Sequence, residues 1–201
     1  MKAYLWVPED RKSEILECGL DMSLASEFKC RVNEMSGRAF LCRLSPGDWK
    51  DAVKPADSVM IKADLSQVRA FVAENIYLEG CATDGYEGGG LWECFQNSIV
   101  PWEQYRLGNY RKPLCLIVNP ILPEALSEYD SRMDETVMYP DSETLYVDRR
   151  FAQAAEAEEG FKERALEAYY DRQGGNKDSM GGINIYRDAD GNVSYIMKRG
   201  T

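Results

Sequence analysis

The chain has 201 residues, 44% of them hydrophobic and 29% charged, a composition that predicts one folded domain, or one domain with an appended piece, and argues against disorder. The formal net charge of −10 argues against a protein that coats nucleic acid, and no apolar run approaches the ~18 residues of a membrane span. The first residues lack a signal-peptide pattern, so we expect a cytoplasmic protein with no membrane association.

Hydrophobic periodicity predicts the elements in chain order. Residues 2–7 read as a strand, 9–18 as a helix that Gly19 ends, and 38–44 and 58–64 as two further strands. A helix at 65–75 follows, on the spacing of Leu65, Val68 and Val72, with Asp64 or Ser66 as its cap. Residues 80–90 form a glycine-rich loop, and 113–118 a central buried strand.

The second half of the chain predicts a surface segment, a strand, a long helix and a hairpin. Residues 121–143 hold seven acids and one arginine, which indicates a solvated surface. A strand is expected near 144–148 and a helix near 151–171, with Gly160 weakening its middle. The last residues alternate around an Asp-Gly pair, which is a strong hairpin signal.

Together these elements predict an α+β fold with a mixed or antiparallel sheet, about three helices and a C-terminal β-hairpin. We expect residues 1–173 to form a single domain and residues 174–182, which are rich in glycine, to be a flexible linker. Residues 183–201 are then the hairpin, packed on the same domain.

The absence of histidine removes several classes of chemistry. Without it there is no Ser-His-Asp triad, no Cys-His dyad and no histidine metal ligand. The six cysteines are widely spaced and form no CxxC pair, so the sequence predicts free thiols and no zinc site or other metal.

One segment contrasts with the acidic chain. Residues 100–112 carry three basic side chains against the single Glu103, interleaved with aromatic rings. Arginine grips phosphates or carboxylates, and flat rings hold bases. The segment therefore predicts a pocket wall for an anionic small molecule or nucleotide, and its candidate binding residues are Trp102, Tyr105, Arg106, Tyr110 and Arg111. Ordinary packing and surface roles are the alternative.

The opening YLWVPEDRKSEILECGLDMS resembles the first unit of ADP-ribosyltransferase-like domains, a strand followed by a short helix. Tyr4 takes the strand position, while Ile15, Leu16, Gly19 and Leu20 match the helix ending. SVMIKADLSQVRAF is similar to a later strand-then-helix step in such folds, so the resemblance covers about the first 75 residues, loosely.

The resemblance implies an enzyme that transfers ADP-ribose from NAD without metal or histidine. It implies Tyr4 as a catalytic residue, together with Glu143 or Glu103 as the acid, between which the sequence leaves the choice open. The competing hypothesis is a non-enzymatic interaction or regulatory module with no small-molecule substrate. Such a module would meet a protein partner through its acidic surface or through the C-terminal hairpin, which could complete another subunit's sheet.

Overall fold

A computed structural model describes residues 1–48, 54–84, 89–134, 141–172, 176–180, 183–187 and 193–197. The strands, in chain order, are β1 (Lys2–Pro8), β2 (Ser26–Glu27), β3 (Arg38–Cys42), β4 (Ser58–Asp64), β5 (Ala70–Glu74), β6 (Val100–Pro101), β7 (Pro113–Ile117), β8 (Leu126–Glu128), β9 (Asn176–Met180), β10 (Ile183–Arg187) and β11 (Val193–Met197). The helices are α1 (Lys12–Cys18), α2 (Asn75–Asp84), α3 (Gly90–Ser98), α4 (Ser131–Asp134), α5 (Ser142–Ala157) and α6 (Phe161–Arg172).

The chain divides into two compact units, residues 1–148 and residues 149–201. Every strand pair in the described residues is antiparallel, and the α+β class predicted from the sequence is confirmed, with more helices than the three expected. The first unit holds a three-stranded sheet, β1-β4-β8, and a five-stranded sheet, β2-β3-β7-β5-β6. The second holds the meander β11-β10-β9. None of the helices in the described residues has the length and apolar character needed to span a membrane.

The core of the first unit lies on both faces of the five-stranded sheet. Strand β7 is buried along its whole length between β3 and β5, which explains its unbroken apolar sequence. Its Leu114 and Leu116 pack in one apolar cluster with Leu78 of α2 and Phe95 of α3. Its alternate residues belong to the other cluster, which also contains the inner face of β1 and β4.

Strand and helix predictions in the first 64 residues are confirmed. Strand β4 has the predicted bounds, β1 and β3 agree closely, and a 3-10 turn at Glu9–Arg11 leads into α1. Gly19 ends that helix at a φ of 86°, a conformation that favours glycine. An added Cβ there would lie 2.5 Å from the carbonyl oxygen of Ile121, so the chain also requires glycine for space.

The predicted helix at 65–75 is wrong. Asp64 does cap a turn by accepting the amide of Ser66, but that turn is a short 3-10 helix, Leu65–Gln67, and β5 follows it. Residues Ala70–Glu74 pair with β7 along their full length, and this long-range pairing overrides the helical spacing. Helix α2 then runs to Asp84 through the start of the predicted glycine-rich loop, whose residues 85–88 lie outside the described residues.

The predicted strand at 144–148 is also wrong, because these residues belong to α5. Asp141 explains the start of the helix, since its carboxylate accepts the backbone amide of Thr144 as an N-cap does. The predicted helix at 151–171 is real but divided: α5 ends at Ala157, and α6 begins after Gly160, which has a φ of 73°.

The surface assignment for 121–143 holds only in part. Glu124, Glu128 and Asp130 are exposed, yet Ile121 and Leu126 are core residues. The segment therefore supplies apolar side chains to the first unit as well as charge to its surface.

The terminal hairpin is present as β10 and β11. Its predicted Asp-Gly turn, residues 190–191, lies outside the described residues. Residues 176–180, within the predicted linker, instead form β9, which makes the hairpin a three-stranded sheet. Tyr186 of β10 stacks on Tyr170 of α6, with centroids 5.4 Å apart and an interplanar angle of 17°, and both rings are buried.

Candidate ligand-binding site

The basic aromatic segment folds as a 3-10 helix, Trp102–Gln104, followed by turns. Its rings point largely inward. Tyr105 is 4% exposed, Tyr110 packs beside it with ring centroids 5.3 Å apart, and Trp102 is partly buried against the same cluster. The Tyr110 hydroxyl donates to the carbonyl oxygen of Ser98 at 2.6 Å. These three aromatic residues therefore have packing roles that account for their presence.

A buried carboxylate holds the end of the segment. Glu74, only 9% exposed, accepts the backbone amides of Arg111 at 2.8 Å and Lys112 at 2.9 Å. The amide of Asn75 donates in turn to the carbonyl oxygen of Lys112 at 2.8 Å. The segment is thus fixed to the end of β5 by main-chain contacts that do not depend on its basic side chains.

The two predicted anion-binding arginines have different surroundings. Arg111 is committed to Glu143, with 2.6 Å between Nε and Oε1, and both side chains are about half exposed. This carboxylate raises the pKa of the Arg111 guanidinium. Arg106 and Glu103 are exposed. The structure thus joins two predicted site residues, Arg111 and Glu143, but as an ion pair with each other, and their roles toward a ligand stay predictions.

The start of α5 is anchored by a second buried carboxylate. Asp48, 3% exposed, accepts the amide of Ser142 at 2.7 Å and its hydroxyl at 3.0 Å, and also the amide of Ser45 at 2.9 Å. Burial raises the pKa of Asp48 against the effect of these hydrogen bonds. Burial likewise raises the pKa of the Tyr105 phenol, and the charges of Asp48 and Glu74 add to the shift, while the nearby Tyr110 amide opposes it.

Tyr4 lies elsewhere, on the face of β1 that points away from the core cluster. Ala3, Leu5 and Val7 enter the core, so the alternation of the strand places Tyr4 and Trp6 on its other side. Tyr4 is 7% exposed and meets Tyr129 edge to face at 6.0 Å. Its backbone exchanges two 2.8 Å hydrogen bonds with Arg43.

Two cations flank Trp6. The Arg43 guanidinium carbon and the Lys54 ammonium each lie 5.7 Å from the centroid of the indole ring, within the range of a cation–π contact. The indole Nε1–H is itself buried and has no hydrogen-bond partner among the described residues. We call Trp6, Arg43 and Lys54 the β1-face cluster.

The charges of the β1-face cluster differ in their exposure. Lys54 is exposed to solvent, whereas Arg43 is 8% exposed. Burial lowers the pKa of the Arg43 guanidinium, and the charge of Asp48 opposes that shift. Asp48 itself accepts three hydrogen bonds from Ser45 and Ser142. The cluster therefore combines one buried cation, one exposed cation and an N–H donor that has no partner among the described residues.

The sequence predicts a role for Tyr4, which stays a prediction, and it does not predict the β1-face cluster. The alternation of residues 2–7 already places Trp6 on the same side of the strand as Tyr4, and that signal was available. Arg43 and Lys54 both belong to the connection between β3 and β4, and no local pattern indicates that they meet Trp6. Among the described residues, no three His, Cys, Asp or Glu side chains are grouped so that they could hold a metal ion.

Comparisons of the chain with protein-family models, with curated proteins and with solved structures give no match.

Proposed function

We propose that this protein binds an anionic small molecule of the nucleotide class at the β1-face cluster. The observation that carries the proposal is the buried indole Nε1–H of Trp6, which has no partner among the described residues and lies beside two cations. A buried donor without an acceptor costs about 1–3 kcal/mol, so an acceptor that reaches it gains unusually favourable binding energy.

The charges favour an anion as that acceptor. Arg43 and Lys54 both lie by the ring that carries the donor, and a guanidinium presents several N–H groups in a geometry that suits phosphate. The chain carries a net charge of −10, so a pair of cations near a donor that has no partner among the described residues departs from its general acidity. A phosphate or pyrophosphate group would accept the Trp6 N–H and lie beside positive charge.

The neighbouring rings favour a ligand with an aromatic part. Trp6 is partly exposed, and Tyr129, which is also partly exposed, contacts Tyr4 on the same sheet face. Aromatic side chains around a phosphate-binding group are suited to hold a base or a nicotinamide ring. This combination leads us to a nucleotide, with NAD and ADP-ribose among its candidate forms, in preference to inorganic phosphate alone.

Isothermal titration calorimetry of the full chain with inorganic phosphate, pyrophosphate, ATP, ADP-ribose and NAD tests the proposal. We expect a nucleotide to bind more tightly than phosphate. Trp6→Phe keeps an aromatic ring but removes the N–H donor, and Lys54→Gln removes the exposed cation, so each should weaken binding by about tenfold, or 1.4 kcal/mol.

The matched control is Arg106→Gln, which removes an exposed cation from the basic aromatic segment. If the β1-face cluster is the site, this variant binds as the unmodified chain does. Loss of binding in Arg106→Gln with normal binding in Trp6→Phe would instead place the site at the segment of residues 100–112. No heat from any of the five compounds would contradict nucleotide binding altogether.

Transfer of ADP-ribose is the finer proposal that the N-terminal resemblance adds. Only part of the implied pattern is supported by the fold, because SVMIKADLSQVRAF forms a strand, a 3-10 turn and a second strand where a strand and a helix were implied. Release of nicotinamide from NAD, measured by chromatography, would support an enzyme. Loss of that release in Tyr4→Phe, Glu143→Gln or Glu103→Gln would identify the catalytic residues. Binding of NAD without release would support a binding protein.

A further inference from the structure

Among the described residues, the three strands of the second unit form a meander with two different edges. Strand β10 lies in the middle, with β9 on one side and β11 on the other. In each row of the sheet, one residue of β9 and one of β11 flank the same residue of β10; the row through Tyr186, for example, joins Lys177 and Ser194. The two edges can therefore be compared position by position.

Strand β9 has the sequence NKDSM and carries Lys177 and Asp178, whereas β11 has the sequence VSYIM and carries no charge. Charged residues on an edge strand oppose pairing with another chain, and lysine is the residue used most often for this. Val, Tyr and Ile also favour strands. The β9 edge is protected by its sequence, and the β11 edge has the composition of a strand that pairs.

The formal charge of this unit does not oppose its association with a second copy. Residues 149–201 hold nine basic and nine acidic residues and are formally neutral, so the whole net charge of −10 lies in residues 1–148. A segment without net charge lacks the repulsion that keeps like-charged segments apart. A five-residue strand can also pair with a copy of itself around a two-fold axis at its central residue, Tyr195, which is the closed symmetry of most homodimers.

We propose that β11 is a homodimerisation edge, which pairs antiparallel with β11 of a second copy to form a continuous six-stranded sheet. In this register Val193 lies opposite Met197 of the second copy, Ser194 opposite Ile196, and Tyr195 opposite itself. The contact is short, so the dimer is weak and forms as the protein concentration rises.

Sedimentation velocity of the full chain over a range of concentrations tests this inference. We expect the mass to rise from monomer to dimer. Ser194→Lys gives β11 the charge that Lys177 gives the equivalent row of β9, and it should weaken the dimer by about tenfold or more. The matched control, Ser179→Lys, adds the same charge to the β9 edge and should leave the dimer unchanged. A monomer at every concentration would overturn the inference, as would equal loss of the dimer in both variants.

Hydrogen exchange on the unmodified chain tests the same edge even if a lysine disturbs the hairpin. In the dimer, the outward amides of β11 gain protection as the concentration rises, because they become bonded to the second copy. Those of β9 do not. Protection that is independent of concentration in β11, or that appears in β9 instead, would contradict the proposed edge.

Discussion

Replacement of Glu74 tests how the basic aromatic segment is held. Its carboxylate is 9% exposed and accepts two backbone amides, those of Arg111 at 2.8 Å and Lys112 at 2.9 Å. A hydrogen bond to a charged group contributes about 1.5–3 kcal/mol, and Glu74→Ala leaves both donors without their acceptor. Because water can reach part of this loop, we take the lower end for each bond and expect a loss of about 3 kcal/mol in the free energy of unfolding.

Two further variants separate the effect of the two hydrogen bonds to Glu74 from the effect of charge alone. Glu74→Gln keeps one carbonyl oxygen as an acceptor, so it should cost about half as much. Glu79→Gln removes the exposed ion pair with Lys112, whose atoms lie 3.1 Å apart, and should cost less than about 1 kcal/mol.

Urea unfolding at pH 7 measures these differences. All four tryptophans lie in residues 1–148, so tryptophan fluorescence follows the unit that contains Glu74. Equal values for Glu74→Ala and Glu79→Gln, or a loss below about 1 kcal/mol for Glu74→Ala, would refute the argument that buried main-chain contacts hold this segment.

Three more outcomes follow from single features of the first unit. Gly19→Ala should lower the free energy of unfolding in urea by at least about 2 kcal/mol, because the site combines a φ of 86° with a backbone oxygen 2.5 Å from the new Cβ. Gly37→Ala, at a φ of 62° with open space around it, should lower it clearly less. The reverse order would contradict the steric argument. Lys2 and the hydrogen bonds from Ser66 hold the pKa of Asp64 well below its usual range, so its stabilising contribution is complete above about pH 4 and is lost as the pH falls toward the folded-state value. Asp64→Asn should therefore lower stability by about 1 kcal/mol at pH 7 and by progressively less in acid, and a constant difference from pH 7 down to pH 2 would exclude this linkage. Thiol titration in denaturant without reductant should count six free cysteines, since all six are unpaired in the structure, and a count of four or fewer would show bridges.

Local patterns predicted those elements whose local preference and tertiary pairing agree. Strand β4 alternates and carries its own stop signal in Asp64, so its bounds follow from the sequence. In β5 the local preference and the tertiary pairing disagree. Leu65, Val68 and Val72 have helical spacing, but pairing with the buried strand β7 makes the segment a strand. In α5, the strand-forming residues Leu145, Tyr146 and Val147 obscured a capping signal already present in Asp141 and Thr144.

The candidate site was predictable only as separate parts. Tyr4 and Trp6 share one side of β1 by simple alternation, and residues 100–112 are locally basic in the sequence, while the anion-binding role of their arginines stays a prediction. Which acid neutralises Arg111, and which cations reach Trp6, depends on contacts between residues separated by 32 or more positions in the chain. Such contacts are set by the packing of the sheets, and no motif in one sequence specifies them.

The indole N–H signals of the protein test the central proposal most directly. Each tryptophan gives one such signal in a ¹H–¹⁵N NMR spectrum, and the signal that disappears in Trp6→Phe belongs to Trp6. We predict that ADP-ribose or ATP shifts the Trp6 signal in a saturable manner, because its Nε1–H gains a phosphate acceptor, while the signal of Trp92, in the other apolar cluster, stays in place. A Trp6 signal unchanged at ligand concentrations that saturate binding, or one that moves no more than that of Trp92, would contradict an anion site at the β1-face cluster.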